Sequence, residues 1–451
     1  MIDTFVEVLL SVYSLVLTCL KNDHNSICLK CSVCDNIFIK NICWNLSFLS
    51  ENISKCKTKD ALNLMRHSAE LISCLSRSKK FATNDIKLGS NADNHFHLSC
   101  FGNLVHCLGF ALLKMCEVHC EKCEQLAVTK YSLVLALQQL SMIQTMRTLF
   151  ASVLPEIRKE TDKGTSCNSN GTTVGILFFI CVNPLELSPI RKASFRTISN
   201  ALLMSGDNSV SNMEHTQKIA DEIQENGGID VLVETNLHED CPEIRSCAAF
   251  LLNRLLSRHK GLNLTDRQVN SLFVALVDCF TERQLESAPS KTVLADLLSS
   301  LLNIVSRKSH QIQWHDQGIA SFIVKLLPSP HKDLGGVITA ASVCLPPKKP
   351  KPESVAGILM SSQTFLANLL KLLISYTDAD VDYGPLLVKE GAIESLICLL
   401  ANSSRKDKVV TKNAATALAK LSRLKNPLAM KRCRELRGME ILIALHQSNR
   451  I

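Results

Sequence analysis

The stretch that decides the fold is Gly391-Ala392-Ile393-Glu394-Ser395-Leu396-Ile397-Cys398-Leu399-Leu400, followed by Ala414-Ala415-Thr416-Ala417-Leu418-Ala419-Lys420-Leu421-Ser422. Apolar residues recur at helical spacing in both parts, so each part predicts a helix with one buried face. A glycine can end one helix in the left-handed conformation and allow the next helix to start at a sharp angle. The paired alanines are small enough to let neighbouring helices approach closely. This stretch therefore predicts short helices that pack face to face.

The same shape occurs at three other places in the chain. Gly228 opens a segment that continues into Ala248–Ser257, and the segments at Gly318 and Gly438 show the opening half. Gly228 and Gly318 are two units of ~45 residues apart, whereas Gly391 and Gly438 are about one unit apart. A unit of this size cannot bury its apolar face alone, so the units must stack on one another. The repeats therefore predict an all-α solenoid.

These segments resemble the armadillo-repeat family, whose third helices follow roughly the pattern A-A-x-x-L-x-x-L-S. The pattern recurs in Ala414–Ser422 and Ala248–Ser257, more loosely in Leu298–Ser306 and Phe195–Leu202, and in a Trp-containing form in Ile42–Ser50. The resemblance implies an armadillo-like α-solenoid, a superhelix of two- and three-helix repeats. It also implies that stacked third helices line a concave groove in which a partner peptide or domain lies.

Importin-α receptors, which belong to the same family, carry a W-x-x-x-N pattern on their ligand-binding third helices. Here the residue four positions after Trp44 is Phe48, and Trp314 lies just before Gly318 rather than in a third helix. The nuclear-import reading is therefore disfavoured.

The composition agrees with a helical fold and excludes several others. The 451 residues are 46% apolar but only 5% aromatic, with 17 Gly and 13 Pro. An all-β protein needs more aromatic residues and more frequent turn residues. Disordered and collagenous chains are excluded because a chain with 20% charged residues and this apolar content can bury a large core.

Three parts of the chain differ in composition. Residues 1–160 form a cysteine-rich helical region with degenerate repeats, 161–176 are polar and predict a linker or long loop, and 177–451 contain the clearer repeats. A basic, proline-rich insertion at 346–353 interrupts the third part. Its Lys348-Lys349-Pro350-Lys351 run fits a nuclear-localisation patch, a PxxP ligand or a solvated loop.

The cysteines bear on localisation and on metal binding. Twelve of the 20 lie within the first 123 residues, yet a chain of this length has its own core and needs no disulfide framework. The apolar start, Met1–Leu20, carries Asp3 and Glu7 where a signal sequence would be basic, and no membrane insertion is expected. We therefore expect reduced thiols and a cytoplasmic and/or nuclear protein.

Two cysteine clusters have the spacing of metal ligands. Zinc prefers thiolate and imidazole ligands, and short spacing lets one turn supply two of them. Buried packing of small apolar thiols is the favoured interpretation, and no cofactor is expected. The alternative is a zinc-stabilised N-terminal module in a nuclear or cytoskeletal adaptor, with ligands drawn from Cys28, Cys31, Cys34, Cys120 and Cys123.

The sequence contains none of the phosphate-binding, dinucleotide-binding, zinc-protease or nucleophile-elbow motifs that mark common enzymes. We therefore expect a non-catalytic scaffold that binds proteins, and small-molecule binding is disfavoured. Polar positions on third helices are the candidate partner contacts, because an Asn there can pair with a backbone amide. These positions are Asn253, Asn303, Asn413 and Lys420.

The positive charge is concentrated at the C-terminal end. From Ala392 to Ile451 there are twelve Lys or Arg residues and four Asp or Glu residues, and the whole chain carries a net charge of +8. Arg423, Lys431 and Arg434 join the candidate contacts. The charge fits a solvated terminal cap or a surface for acidic or phosphorylated partners. Nucleic acid is disfavoured because aromatic residues that could stack on bases are missing there.

Overall fold

The computed structural model describes most of the chain. The described residues are 11–13, 32–52, 58–76, 93–117, 124–152, 154, 171–203, 210–258, 262, 264–281, 288–305, 323–324, 327, 363–379, 383–402, 408–424 and 426–447. The segments at Gly318 and at 346–353 lie outside these residues, apart from three positions between 323 and 327. The predictions made for those two segments therefore stay predictions.

Within these residues the secondary structure is helical throughout, with eighteen α-helices. They are α1 Ser32–Asn52, α2 Thr58–Ser76, α3 Asp93–Glu117, α4 Glu124–Ser141, α5 Gln144–Arg147, α6 Thr173–Val182, α7 Ser188–Ala201, α8 Val210–Glu225, α9 Gly228–Glu234, α10 Pro242–Arg258, α11 Asp266–Thr281, α12 Ala288–Val305, α13 Gln363–Ala379, α14 Tyr383–Lys389, α15 Ala392–Asn402, α16 Lys408–Arg423, α17 Pro427–Glu435 and α18 Gly438–Gln447. A 3₁₀ turn, Asn236–His238, extends α9.

The helices form two compact units, residues 1–262 and 263–451. In unit 1, α2, α4, α7 and α10 pack side by side in chain order, and we call this row the third-helix layer of unit 1. Helices α1, α3, α6 and α9 form a second row behind it, the second-helix layer, and each packs against the third helix that follows it in the chain. Apolar side chains between the two layers make the core.

Unit 2 repeats this arrangement. Helices α12, α13 and α16 pack in sequence as the third-helix layer of unit 2, with α11 against α12 and α15 against α16. The short helices α14 and α17 pack on each other, and α18 packs on α15. Repeats of two helices, such as α6–α7, and of three, such as α14–α16, therefore both occur. The all-α, armadillo-like fold predicted from the sequence is confirmed.

The paired alanines have the role that the sequence predicts. Ala248 and Ala249 are fully buried in α10, and Ala414 and Ala415 are buried in α16. The Phe195–Leu202 and Leu298–Ser306 segments also fall on third-layer helices, α7 and α12. Small side chains at these positions keep the third helices close to their neighbours.

The left-handed turns, in contrast, fall only partly where the sequence predicted them. Positive φ angles occur at Gly227 (65°), Gly391 (96°) and Arg437 (52°), in each case immediately before the second helix of a repeat. The prediction was right for Gly391 and wrong for Gly228 and Gly438, which are the first residues of α9 and α18. The turn is made one residue earlier, so the glycine after it serves close packing rather than backbone freedom.

Gly228 shows what that close packing requires. A Cβ atom at this position would lie 2.6 Å from the Ile223 carbonyl oxygen and 2.7 Å from the Phe178 ring. Around Gly227, by comparison, nothing lies within 4 Å of such an atom. The two adjacent glycines are therefore needed for different reasons, one steric and one conformational.

Two further expectations differ from the structure. Ile42–Ser50 lies in α1, which packs on α3 in the second-helix layer, so its similarity to a third helix was misleading. Its apolar pattern shows only that one face of the helix is buried, and helices of both layers bury one face. Residues 173–176 of the predicted linker form the first turn of α6, where Thr172 Oγ1 accepts a hydrogen bond from the Gly175 amide at 3.0 Å.

The domain boundaries at 160 and 177 stay predictions. Helices on both sides of that segment pack within unit 1, α3 on α6 and α4 on α7. No helix among the described residues is long and apolar enough to span a bilayer.

Candidate functional site

The exposed faces of the third helices are the surfaces that the fold leaves open. Each of these helices packs on the second-helix layer and on its neighbours in the row, and its remaining face is exposed. In α7, Ile190, Phe195 and Ile198 are buried, whereas Arg196 is exposed and Lys192 is half-buried. These exposed faces are where a partner can contact several consecutive repeats.

In unit 2 the open face of α16 is basic. Lys408, Lys412 and Arg423 are exposed, Lys420 is half-buried, and the helix contains no acidic residue. Lys371 adds an exposed cation on the neighbouring helix α13. We call Lys371, Lys412, Lys420 and Arg423 the basic row. Because neighbouring positive charges repel one another, the basic row favours an anionic partner.

The three asparagines predicted as partner contacts are less exposed than most of the basic row. Asn253, Asn303 and Asn413 are all half-buried. The Asn413 amide donates a hydrogen bond to the Ala367 carbonyl of α13 at 3.2 Å, so this side chain joins two third helices. Partner binding by the three asparagines remains a prediction.

Lys431 and Arg434, predicted from the basic C-terminal end, are exposed on α17, the first helix of its repeat. Lys431 lies 3.8 Å from the Glu435 carboxylate on the same helix. Their neighbour Arg432 pairs with Glu394 of α15 at 3.1 Å. The charge of α17 is therefore partly balanced.

In unit 1 the open face between α7 and α10 carries three cationic side chains. Lys192 pairs with Glu243, and Arg196 lies beside the Cys247 thiol. The Arg254 guanidinium stacks over the Phe250 ring at 4.3 Å and donates to the Ser199 carbonyl of α7. This face therefore combines positive charges with an aromatic ring and a thiol.

On this face, burial and the nearby positive charges shift the pKa of the Cys247 thiol in opposite directions. Burial raises the pKa of the Cys247 thiol, and the nearby Arg196 and Lys192 only partly offset this. The hydrogen bond and charge of Lys192 lower the pKa of the Glu243 carboxyl. The thiol is therefore protonated at neutral pH, which does not favour a nucleophilic role.

Helix α7 also forms a buried salt bridge on its other side, which we call the Arg191 joint. The sequence did not predict it. The Arg191 guanidinium pairs in two-pronged fashion with the Glu239 carboxylate, one branch at 2.8 Å, and also donates to the Cys181 carbonyl at 2.9 Å. Asn236 donates to the same carboxylate at 2.6 Å. A single sequence does not show which distant acidic residue a given arginine pairs with, so this joint could not be predicted.

Three solved structures that are similar to this chain are engineered or designed proteins. "Engineered Protein, Northeast Structural Genomics Consortium Target OR329" is 18% identical and aligns over 70% of this chain and 96% of its own, with a TM-score of 0.41. The designed armadillo repeat protein YIII(Dq)4CqI is 18% identical over 65% and 98%, with a TM-score of 0.39. Engineered protein target OR497 is 16% identical over 89% and 94%, with a TM-score of 0.43. No protein-family model matches the sequence, and no curated protein matches it.

The predicted zinc ligands fall largely outside the described residues. This applies to Cys28, Cys31, Cys120 and Cys123, whereas Cys34 lies in α1 with its side chain outside the description. Among the residues that the structure describes, no group of three His, Cys, Asp or Glu side chains could hold a metal ion. The zinc alternative stays a prediction.

Trp44 is an exposed aromatic residue of α1. Its ring is 56% exposed and stacks on Phe48 at 5.2 Å between centroids. The buried neighbour Asn45 donates to the Tyr13 hydroxyl at 2.7 Å. Trp44 and Asn45 therefore point to different sides of the helix, as their sequence spacing predicted.

Proposed function

We propose that this chain is a non-catalytic interaction scaffold whose basic row in unit 2 binds an acidic segment of a partner protein. The observation that carries the proposal is the basic row itself, because three of its cations lie on α16, which contains no acidic residue, and Lys371 adds a fourth on α13. Successive turns of a helix are 5.4 Å apart, so cations at Lys412, Lys420 and Arg423 form a ladder along the helix axis.

The chemistry favours carboxylates or phosphates on a flexible chain. Lysine side chains bind anions as point charges on flexible stems and impose little geometry. Lys420 and Arg423 are about 4.5 Å apart along the helix axis, which is within the Debye length of about 8 Å at physiological salt. Binding would therefore depend on the number of acidic groups more than on their exact order, and would weaken as salt is added.

The test is a titration of the full chain into a fluorescein-labelled 16-residue peptide of Glu and Ser, followed by anisotropy. Reversing two charges of the basic row, Lys412→Glu with Arg423→Glu, should weaken binding at least tenfold, since four units of charge change at the surface. Lys59→Glu with Lys389→Glu is the matched control, because both lysines are exposed but lie outside the basic row.

Unchanged binding in the basic-row variant, with the control also unchanged, would exclude this surface. The same holds if raising NaCl from 50 to 500 mM leaves the affinity unaltered. A single-stranded RNA of equal charge that binds more tightly than the peptide would replace the acidic protein partner by nucleic acid.

A further inference from the structure

Acidic residues are concentrated in one segment of unit 1. Residues 1–262 carry 26 Lys or Arg and 26 Asp or Glu, whereas residues 263–451 carry 24 and 16. The neutral total of unit 1 includes residues 210–243, which contain nine Asp or Glu and a single basic residue, Lys218. Unit 1 therefore has a local excess of negative charge, and unit 2 has a net positive charge.

Part of this acidic segment forms a corner between α8 and α9. Asp221 and Glu225 are one turn apart on α8, and Asp230 and Glu234 are one turn apart on α9. Only residues 226–227 join the two helices. Glu225 and Asp230 are exposed, and Asp221 and Glu234 are half-buried. We call these four residues the acidic corner.

The turn between the two helices keeps the acidic corner narrow. Gly227 makes the turn at φ 65°, and a Cβ atom at Gly228 would lie 2.6 Å from the Ile223 carbonyl oxygen of α8. Helices α8 and α9 pack on each other, and the axes of packed helices are about 8–10 Å apart. The two carboxylate pairs are therefore separated by about the same distance.

Other carboxylates of the acidic segment are used within unit 1. Glu239 pairs with Arg191, and Glu243 pairs with Lys192. Neither of these two carboxylates belongs to the acidic corner. The ionic contacts between helices of unit 1 and the acidic corner therefore use different side chains.

We propose that the basic row binds the acidic corner of a second copy of this chain. This proposal rests on the function proposed above and names the partner. Lys412 and Arg423 are about 16 Å apart along α16 at 1.5 Å per residue, so the basic row is long enough to meet both carboxylate pairs. Lysine imposes little geometry on an anion, so a folded acidic surface satisfies the basic row as an extended acidic segment does.

The charges select this pairing over the other contacts between two copies. Surfaces of opposite charge attract and orient one another, and like charges that face each other across an interface disfavour the contact. A two-fold contact of the basic row with itself is therefore disfavoured, as is one of the acidic corner with itself. The favoured contact joins two different surfaces, one from each copy.

The test is sedimentation velocity of the full chain in 50 mM NaCl, from about 1 μM to about 100 μM. We expect the mean sedimentation coefficient to rise with concentration, and the rise to disappear in 500 mM NaCl. Lys412→Glu with Arg423→Glu, and separately Glu225→Lys with Asp230→Lys, should each weaken self-association at least tenfold.

The matched control is Glu51→Lys with Glu390→Lys, which changes the net charge as the acidic-corner variant does. Both residues are exposed and lie outside the acidic corner, so self-association should be unchanged. Circular dichroism melts show whether each variant is folded. The neutral variant Glu225→Gln with Asp230→Asn tests the same contact with a smaller change and should weaken self-association by a smaller factor.

Mixing the two reversed variants provides the sharpest test. The basic-row variant keeps an intact acidic corner, and the acidic-corner variant keeps an intact basic row. An equimolar mixture should therefore assemble, although neither variant assembles alone. Net charge does not account for such a rescue, because both variants keep a positive net charge.

The Glu/Ser peptide of the previous test separates the two proposals. A chain that binds this peptide through the basic row but stays monomeric overturns the acidic corner as the occupant and leaves the proposed function standing. Peptide binding that survives reversal of the basic row removes the proposed function, and this proposal with it. Self-association that survives either reversal, or a mixture that does not assemble, also overturns the contact between the two surfaces.

Discussion

The two units use their charged side chains differently. In unit 1, charged groups join neighbouring helices, as in the pair of Arg191 with Glu239 and the pair of Lys130 with Glu186. In unit 2, leucine and alanine side chains fill the space between α13 and α16, and Lys408, Lys412 and Arg423 of α16 are exposed, although Arg432 of α17 still pairs with Glu394 of α15. One architecture thus supports two kinds of surface, because a charge buried in a joint is not available to a partner.

The largest effect is expected from removing the buried pair of Arg191 with Glu239, which tests the difference between the two units. Arg191→Met leaves the Glu239 carboxylate without its main partner in a mostly buried site, where the two side chains are 5% and 18% exposed. Breaking a buried pair by removing one partner costs about 3–5 kcal/mol. Urea unfolding of the full chain, read by peptide-resolved hydrogen exchange, should show this loss in α6, α7 and the 236–238 turn.

The matched control is Lys192→Met, the adjacent residue on the same helix. Its pair with Glu243 is more open, at 25% and 52% exposure, so its loss should lower the stability much less than the loss of the Arg191 pair. If Arg191→Met and Lys192→Met lower the stability equally, the Arg191 joint is not what holds these helices together.

A second test is acid, because unit 1 contains the buried side chain of His215 and the half-buried side chain of His106. Burial lowers the pKa of His215 to about 4, with Arg147 and Lys218 adding to the effect against a hydrogen bond to the Ala201 carbonyl. Burial also lowers the pKa of His106. The unfolded chain, with an ordinary histidine pKa near 6.5, binds more protons between pH 6.5 and 4, so stability falls as the pH falls through this window.

We expect His215 to account for about 2–3 kcal/mol of this loss between pH 7 and pH 4. Replacing it, as in His215→Gln, should flatten the pH dependence of hydrogen-exchange stability in α7 and α8 relative to the unchanged chain. Segments of unit 2 serve as the internal reference. Parallel pH profiles for the variant and the unchanged chain would contradict the assignment to His215.

The smallest expected effect concerns the left-handed turn before α18. Arg437 occupies, at φ 52°, the position that Gly227 and Gly391 occupy in the three-helix repeats α8–α10 and α14–α16. A side chain in the left-handed region is unfavourable by roughly 1 kcal/mol, and glycine avoids this. Arg437→Gly should therefore stabilise α17 and α18 by about 1 kcal/mol in urea unfolding followed by hydrogen exchange.

The control is Arg434→Gly, three residues earlier and inside α17. Glycine in a helix interior is unfavourable by about 1 kcal/mol, so this change should act in the opposite direction. Destabilisation by both glycine variants would show that the backbone at Arg437 is not strained.

Much of the fold could be predicted because the pattern repeats. The spacing of Gly391 and Gly438, and the alanine pairs at 248 and 414, led correctly to helices of the armadillo type with the alanines buried. The exact turn residue could not be predicted, because a Gly-Gly pair at 227 and 228 contains two candidates with the same local freedom. Only the Phe178 ring against Gly228 separates them.

The candidate surfaces could be predicted only in part. The density of lysine and arginine near the C-terminus pointed to the basic row. The exposure of Val128, Tyr131 and Met142 could not be predicted, because these apolar side chains look like core residues in a helical pattern. Periodicity shows that residues share a face, but not whether a neighbouring helix covers that face.

The sequence by itself determined the helices, their approximate period and the small residues that let them stack, because these depend on local propensity and on spacing along one chain. The tertiary structure decided which face each helix buries, which charges are enclosed in joints and which remain on the surface. Those outcomes depend on contacts between residues far apart in the chain, such as Arg191 with Glu239 and Arg147 with the Leu203 carbonyl. A buried charge needs a partner in space, and position along the sequence does not reveal that partner.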